Sequence, residues 1–441
     1  MLQQILKENS MVNFLYEDFD NKVNFIDCND VNPSGIRRFW ISPLLNASLV
    51  YYSFYPENNI TNSYGLHQDL TGVDHYIICS AVNHSPGDWT GYEPRVETLF
   101  KYLNQKYIDD LRAGRALLML DSSFEGYQTN WLFDWFHQEC NNWGVSPKQI
   151  VYVTGNMIVA DIYKKWCNDR NIVDRMKCIG YSHFELDVAM TAKNRIKEGN
   201  ALPNFEENFV YKYENLPNIK TYACQNKRIR FQRIWFYKYL HDSGLLDSGL
   251  VSMNNFDIVD YDWEGAYMTP MESKRLNDKL PLLIYNKRND ELDDNYYIRR
   301  FNDQVCKDSF VTIVSEAQCS DSDETMFISE KTFKTIACTH PFIVMGNKNT
   351  MSKLREMGYK TFEGYIDEGY DSLPTHERMQ RIIKSINQIN NINDKLNWYI
   401  SMKNIMKHNH NTLLSKLDKV PDAFQEILDY YKEIFYKDKI I

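Results

Sequence analysis

From residue 47 onward, short apolar runs rich in β-branched and aromatic residues alternate with longer stretches of helical period. That alternation restricts the chain to parallel sheets covered by helices, because consecutive parallel strands need a crossover that packs back on the sheet. "HYIICSAVN" (75–83), "RALLMLDSS" (115–123), "QIVYVTGN" (149–156) and "KCIGYSHFEL" (177–186) read as strands, after a first one at 47–55. Helices are expected at 96–114, stopped by Gly114, at 129–144, capped by Thr129 and stopped by Gly144, and at 158–171.

The stretch 192–218, polar and with two prolines, breaks the rhythm and is expected to link two domains. Alternation then resumes. Strands are expected at 219–226, 250–254, 280–286, 309–316, 341–346 and 360–362, with helices at 233–240, 329–338 and 350–358. From residue 377 the pattern is helical and poor in Gly and Pro. The expected fold class is α/β: two Rossmann-like domains with C-terminal helices packing across them. The boundaries read 1–200 for an N-terminal Rossmann-like domain, 215–375 for a C-terminal one and 376–441 for the helical segment. Ligands of such sheets sit beyond the carboxyl ends of the strands.

Composition narrows the chemistry. The 441 residues carry a net charge of −9, which disfavours broad nucleic-acid binding and requires any polyanion to be met by a local cationic site. The nine cysteines are dispersed without a Cys-x-x-Cys pair, so reduced thiols are expected rather than a disulfide framework or zinc site. No apolar leader or membrane-length run is read, and the expected location is cytoplasmic. No Gly-x-Gly-x-x-Gly and no P-loop follows any strand, so a phosphate must be held otherwise.

Two places offer that. In "FISEKTFKTIACTHPFIVMG" (327–346), Ser329, Glu330 and Lys331 open a helix. Its N-terminal amides and macrodipole favour an anion such as a diphosphate, Lys331 adds a point charge, and Glu330 could accept the hydroxyls of a ribose beside it. The alternative is an ordinary cap with first-turn charges. Glu316 ends the strand before it. In "CQNKRIRFQRIWF" (224–236), Asn226 closes a strand, and Arg228, Arg230 and Arg233 with Lys227 form a cationic cluster suited to bidentate phosphate contacts, or a solvated basic loop.

These motifs resemble the donor-binding region of the α-1,3-fucosyltransferases: Phe310, Ser315-Glu316, Ile328-Ser329-Glu330-Lys331 and Pro341 through Gly346, with Asn226 and Arg233 upstream. The resemblance covers about residues 219–362, has a longer loop between Glu316 and Glu330, and does not name the sugar. It implies a two-domain GT-B glycosyltransferase that is inverting, needs no metal and uses a nucleotide-sugar. Arg233 would then contact the diphosphate. The chain also resembles glycosyltransferase-like proteins of bacteriophages, which would place it in a host cytoplasm. No tightly bound cofactor is expected, only a GDP- or UDP-sugar donor.

An inverting transfer needs a carboxylate base on the acceptor side. Glu125, beyond the strand 115–123 and beside Gly126, is the first choice, with Asp121, Asp88 and Glu93 as rivals. Trp89 and Tyr92 would stack on the acceptor, a glycan or a modified DNA base. Asn156 and His183 end strands on that side. Asp321 and Asp323 have the Asp-x-Asp spacing of metal–diphosphate sites, but a metal is not expected, and "HNH" at 408–410 falls in a helical pattern. The competing reading is a noncatalytic nucleotide-binding protein on the same scaffold. Oligomeric state is not legible.

Overall fold

The computed structural model describes residues 12–16, 64–67, 74–81, 100, 103, 105–123, 126, 130–226, 228–285, 301–419 and 421–436. Two compact units emerge. The first comprises Met1–His183, Glu324–Phe327 and Leu417–Ile441, and the second Phe184–Asp323 and Ile328–Lys416.

The first unit holds an all-parallel sheet of β1 (Val12–Tyr16), β2 (Tyr64–His67), β3 (Tyr76–Ala81), β4 (Ala116–Ser122), β5 (Ile150–Thr154) and β6 (Lys177–Gly180), in the order β2-β1-β3-β4-β5-β6. Helices α1 (Gln105–Arg112), α2 (Asn130–Trp143) and α3 (Val159–Asp169) connect its later strands. β4 is buried at every residue, as a central parallel strand covered on both faces must be. Its Ala116, Leu118 and Leu120 share one core with Phe133, Phe136, Tyr163 and Trp166 from the helices. Helix α14 (Asp422–Tyr436) binds the amino-terminal side of this sheet: Lys177 pairs with Glu426 at 2.8 Å, and Tyr430 and Tyr431 donate to the carbonyls of Lys148 and His75.

In the second unit, β7 (Lys220–Gln225), β8 (Gly249–Ser252), β11 (Ser309–Ser315) and β12 (Phe342–Met345) form a parallel sheet in the order β12-β11-β7-β8. Around it run α4 (His183–Lys197), α5 (Phe205–Glu214), α6 (Phe231–Asp242), α7 (Pro270–Asn277), α8 (Asp303–Lys307), α9 (Glu330–Ala337) and α10 (Thr350–Glu356). The helices α11 (Thr375–Asn390), α12 (Lys395–Ser401) and α13 (Lys403–Ser415) complete it. Both units are therefore Rossmann-like, and the C-terminal helices divide between them: three belong to the second unit and α14 to the first.

Several sequence expectations change. The stretch 192–218 is largely helical, because Asn204 and Glu207 form a reciprocal capping box that starts α5. Asn208, Tyr211 and Lys212 then pin that helix to Cys338, Asp308 and the carbonyls of Cys306 and Lys307. The strand at 177–186 stops at Gly180, and helix begins at His183. The strand expected at 280–286 is reduced to a bridge between Leu282 and Met253, since Pro281 lacks an N–H and Tyr285 lies at φ 60°. No strand forms at 360–362, because the Asn409 amide takes both backbone groups of Lys360. A hairpin, β9 (Tyr261–Trp263) and β10 (Ala266–Met268), was not anticipated; it turns through Glu264 and Gly265, both at positive φ. The strand expected at 47–55 lies outside the described residues. No helix among the described residues is long and apolar enough to cross a membrane.

Candidate functional site

β11 ends in Ser315, and Glu316 follows with its backbone N–H donating to Met345 of β12. The Glu316 side chain is fully buried and its carboxylate is spent within the protein. Oε1 accepts from the Thr332 hydroxyl at 2.6 Å, and Oε2 accepts from the N–H groups of Ser329 at 3.1 Å and Ala317 at 3.2 Å and from the Ser329 hydroxyl. Glu316 thus holds the N-terminal turn of α9 against the end of β11. Gly346 makes room for it: a Cβ there would lie 3.2 Å from Glu316 Cγ. Both oxygens take bonds from within the protein, so the geometry gives Glu316 a positioning role beside the ligand contact expected of it.

Ser329 caps α9, with extended backbone and a side chain accepting from the Lys331 N–H. Glu330 and Lys331 are the first two helical residues, and they are paired: Lys331 Nζ lies 2.9 Å from Glu330 Oε1 and donates to Ser329 Oγ at 3.1 Å. An ammonium at the positive end of a helix is opposed by the macrodipole, so Lys331 is held there by Glu330 and by the cap rather than by the helix. Burial pushes the Glu330 carboxyl up, but Lys331 and Lys334 outweigh it and keep it below the ordinary value. The charged pair that the sequence put at a helix entrance is therefore real, and it is arranged around an anion-favouring terminus.

The β7–α6 loop brings the arginines to the same end of the sheet. Asn226, buried, donates its N–H to Ser252 Oγ at the end of β8 and its side-chain amide toward Cys224 Sγ. Arg230 caps α6 in position only and donates to the Ala317 carbonyl at 2.8 Å. Arg233 is 4% exposed and donates to the Ser315 hydroxyl and carbonyl and to the Arg228 carbonyl. Burial, with the neighbouring Arg230 charge, draws its guanidinium down to about 10. Arg233 is thus a buried charge that also shapes the loop, while the Arg228 side chain is exposed. Gln232, which sequence reasoning missed, donates to the Glu316 and Ala317 carbonyls at 3.4 Å.

The loop from Cys319 to Asp323 is tied down by Arg378, Thr375 and Lys348. Arg378, 1% exposed, donates to Asp321 Oδ1 at 2.8 Å and to the Leu373 and Gly346 carbonyls. Thr375 donates its N–H and hydroxyl to the same Asp321 carboxylate, and Asp323 pairs with Lys348 at 3.4 Å. Asp321 caps the start of α11 and is the counter-charge of Arg378. Among the described residues no group of His, Cys, Asp and Glu is arranged to hold a metal ion. The three residues of "HNH" are also accounted for, accepting from or donating to backbone groups of Gly358, Lys360 and Ala337.

Of the residues expected to meet an acceptor, Glu125, Asp88, Trp89, Tyr92 and Glu93 lie outside the described residues. Asp121 is 1% exposed and accepts from the Ser123 N–H at 2.9 Å, a turn function. Asn156 is fully buried and clamps the segment 324–327 within the first unit. Its amide donates to the Glu324 carbonyl at 2.8 Å and accepts from the Met326 N–H at 3.0 Å, and the Met157 N–H reaches the Met326 carbonyl. Gly126 is glycine because a Cβ there would collide with Phe327.

No protein-family model matches the chain, and no curated protein matches it. Among solved structures, an α,α-trehalose 6-phosphate synthase from Burkholderia multivorans aligns at 8% identity and TM-score 0.40, over 83% of this chain and 72% of that one. An E. coli trehalose-6-phosphate structure bound with UDP-2-fluoro glucose aligns at 10% identity and TM-score 0.39, over 96% and 99%. Likeness this slight assigns no residue a role, and the function has to be argued from the chain's own side chains.

Proposed function

We propose that the second unit binds the nucleoside diphosphate of a nucleotide-sugar and that the chain is an inverting glycosyltransferase acting on a glycan or a modified nucleobase. The observation that carries this is the convergence, at the carboxyl ends of β7 and β11, of the α9 N-terminus bearing Glu330 and Lys331 with the arginines of the β7–α6 loop. A diphosphate would draw Lys331 off Glu330 and meet the charge of Arg228, Arg230 and Arg233. Glu330 would accept from the ribose hydroxyls. Glu316, Ser329 and Gln232 keep these groups in register, and Asn226 sets the start of the loop.

Glu125 is proposed as the base. Asp121 is already engaged by the Ser123 N–H, which favours Glu125 over it. The donor is a GDP- or UDP-sugar.

Calorimetry with uridine and guanosine diphosphates tests the donor site. Arg233→Ala and Lys331→Ala should each weaken the better nucleotide about ten- to hundredfold, since a charge-assisted contact contributes about 1.5–3 kcal/mol. Unchanged affinity in both variants removes the assignment. Glu125→Gln should keep nucleotide binding and slow transfer by about a hundred- to ten-thousandfold. Nucleotide binding with no turnover of any nucleotide-sugar would favour the noncatalytic reading.

A further inference from the structure

Lys334 has no part in the proposed donor site, yet it stands one helical turn after Glu330 and three residues after Lys331 on α9. Positions i and i+4 of a helix share a face, so Lys334 and Glu330 lie on one side of α9, and each registers the other's charge. Lys334 is half-buried, and burial draws its pKa down to about 8 against the pull of Glu330 and of Asp187 on α4. Glu330 itself is 8% exposed. The buried Glu330 carboxylate therefore has Lys331 bonded to it and Lys334 on its own face of the helix.

The proposed function needs Lys331 to leave Glu330 for the ligand's phosphates. A buried carboxylate stripped of its only counter-charge is strongly disfavoured, so Lys331 could not leave unless a second cation stayed behind. We infer that Lys334 is that second cation: a positioning residue that holds the Glu330 carboxylate in place when Lys331 moves to phosphate, and that thereby sets the preference for ribose over 2′-deoxyribose nucleotides. The inference rests on the proposed donor site. It assigns the two lysines different tasks, Lys331 as the mobile phosphate contact and Lys334 as the fixed partner of the sugar-reading carboxylate.

The test compares uridine and guanosine diphosphates with their 2′-deoxy counterparts by calorimetry on the full chain. The wild type should prefer the ribonucleotide about ten- to hundredfold, the value of a hydrogen bond to a charged acceptor. Lys334→Met should collapse that preference to about threefold or less, and Lys334→Arg should restore it. Lys334→Gln, shorter and polar, replaces the Met variant if the latter does not fold. A folded Met or Gln variant that keeps the wild-type ratio overturns the inference while leaving the donor site standing. A wild type that binds none of these nucleotides overturns the donor site, and this inference with it.

Discussion

Glu316 and Lys212 show what a single residue's surroundings decide. Glu316 was legible as a carboxylate at a strand end, but the direction in which its oxygens are spent was not. Thr332 and Ser329, which take them, lie 16 and 13 residues downstream, and only the fold brings them back. By contrast, Ser329 as a cap was readable because capping is local. Lys212 was invisible in the sequence, one lysine of a polar segment. It is fully buried, its Nζ donating to the carbonyls of Cys306 and Lys307, and burial lowers its pKa from 10.5 to about 7. Between those values the unfolded chain keeps a proton that the folded chain releases. Stability should therefore rise with pH from about 7 to 10.5 through this group, and be independent of it below. Lys212→Met should flatten that rise and stabilise the acid end by a few kcal/mol, at about 1.4 kcal/mol per pKa unit and less the two lost carbonyl contacts. Urea unfolding of both proteins across this range checks it, and parallel curves would refute it.

At the scale of elements, the strands were legible where burial on both faces leaves an uninterrupted apolar run, as in β4 and β11. They were not legible where the backbone is claimed from elsewhere, as Asn409 claims Lys360. The hairpin of β9 and β10 escaped because its signal is two turn residues, Glu264 and Gly265, rather than a long apolar period. The loop between β11 and α9 is polar in sequence, yet Asp321 welds it to the start of α11. Asp321→Ala should leave the Arg378 guanidinium, 1% exposed, without its carboxylate and destabilise the protein by up to about 3 kcal/mol, the exposed Asp321 edge tempering the usual penalty. Added divalent metal should not change the wild-type melting temperature through this loop. A metal-dependent shift lost in Asp321→Ala would restore the Asp-x-Asp reading.

For the molecule as a whole, the net charge of −9 and a local cluster of arginines make opposite demands on a polyanion. A small diphosphate would meet the proposed cluster alone, whereas a duplex would bring its phosphates against a protein of net negative charge. Unmodified duplex DNA should therefore not be retained at physiological salt, where nonspecific binders show dissociation constants of roughly 0.1 mM to 1 µM. Gel shift decides this. A salt-sensitive shift in the micromolar range would move the acceptor towards a nucleobase. The chain's route between its two units carries a separate consequence. It changes unit at 183/184, 323/324, 327/328 and 416/417, and the shortest visit, Glu324–Phe327, ends two residues before the Ser329 cap. Neither unit can then be lifted out as one contiguous gene segment. An excised 184–416 would carry the segment 324–327 without Asn156 and Met157, which bond its Glu324 and Met326. Exchange of the second unit by recombination would need several matched crossovers rather than one, so the two units are expected to be inherited together.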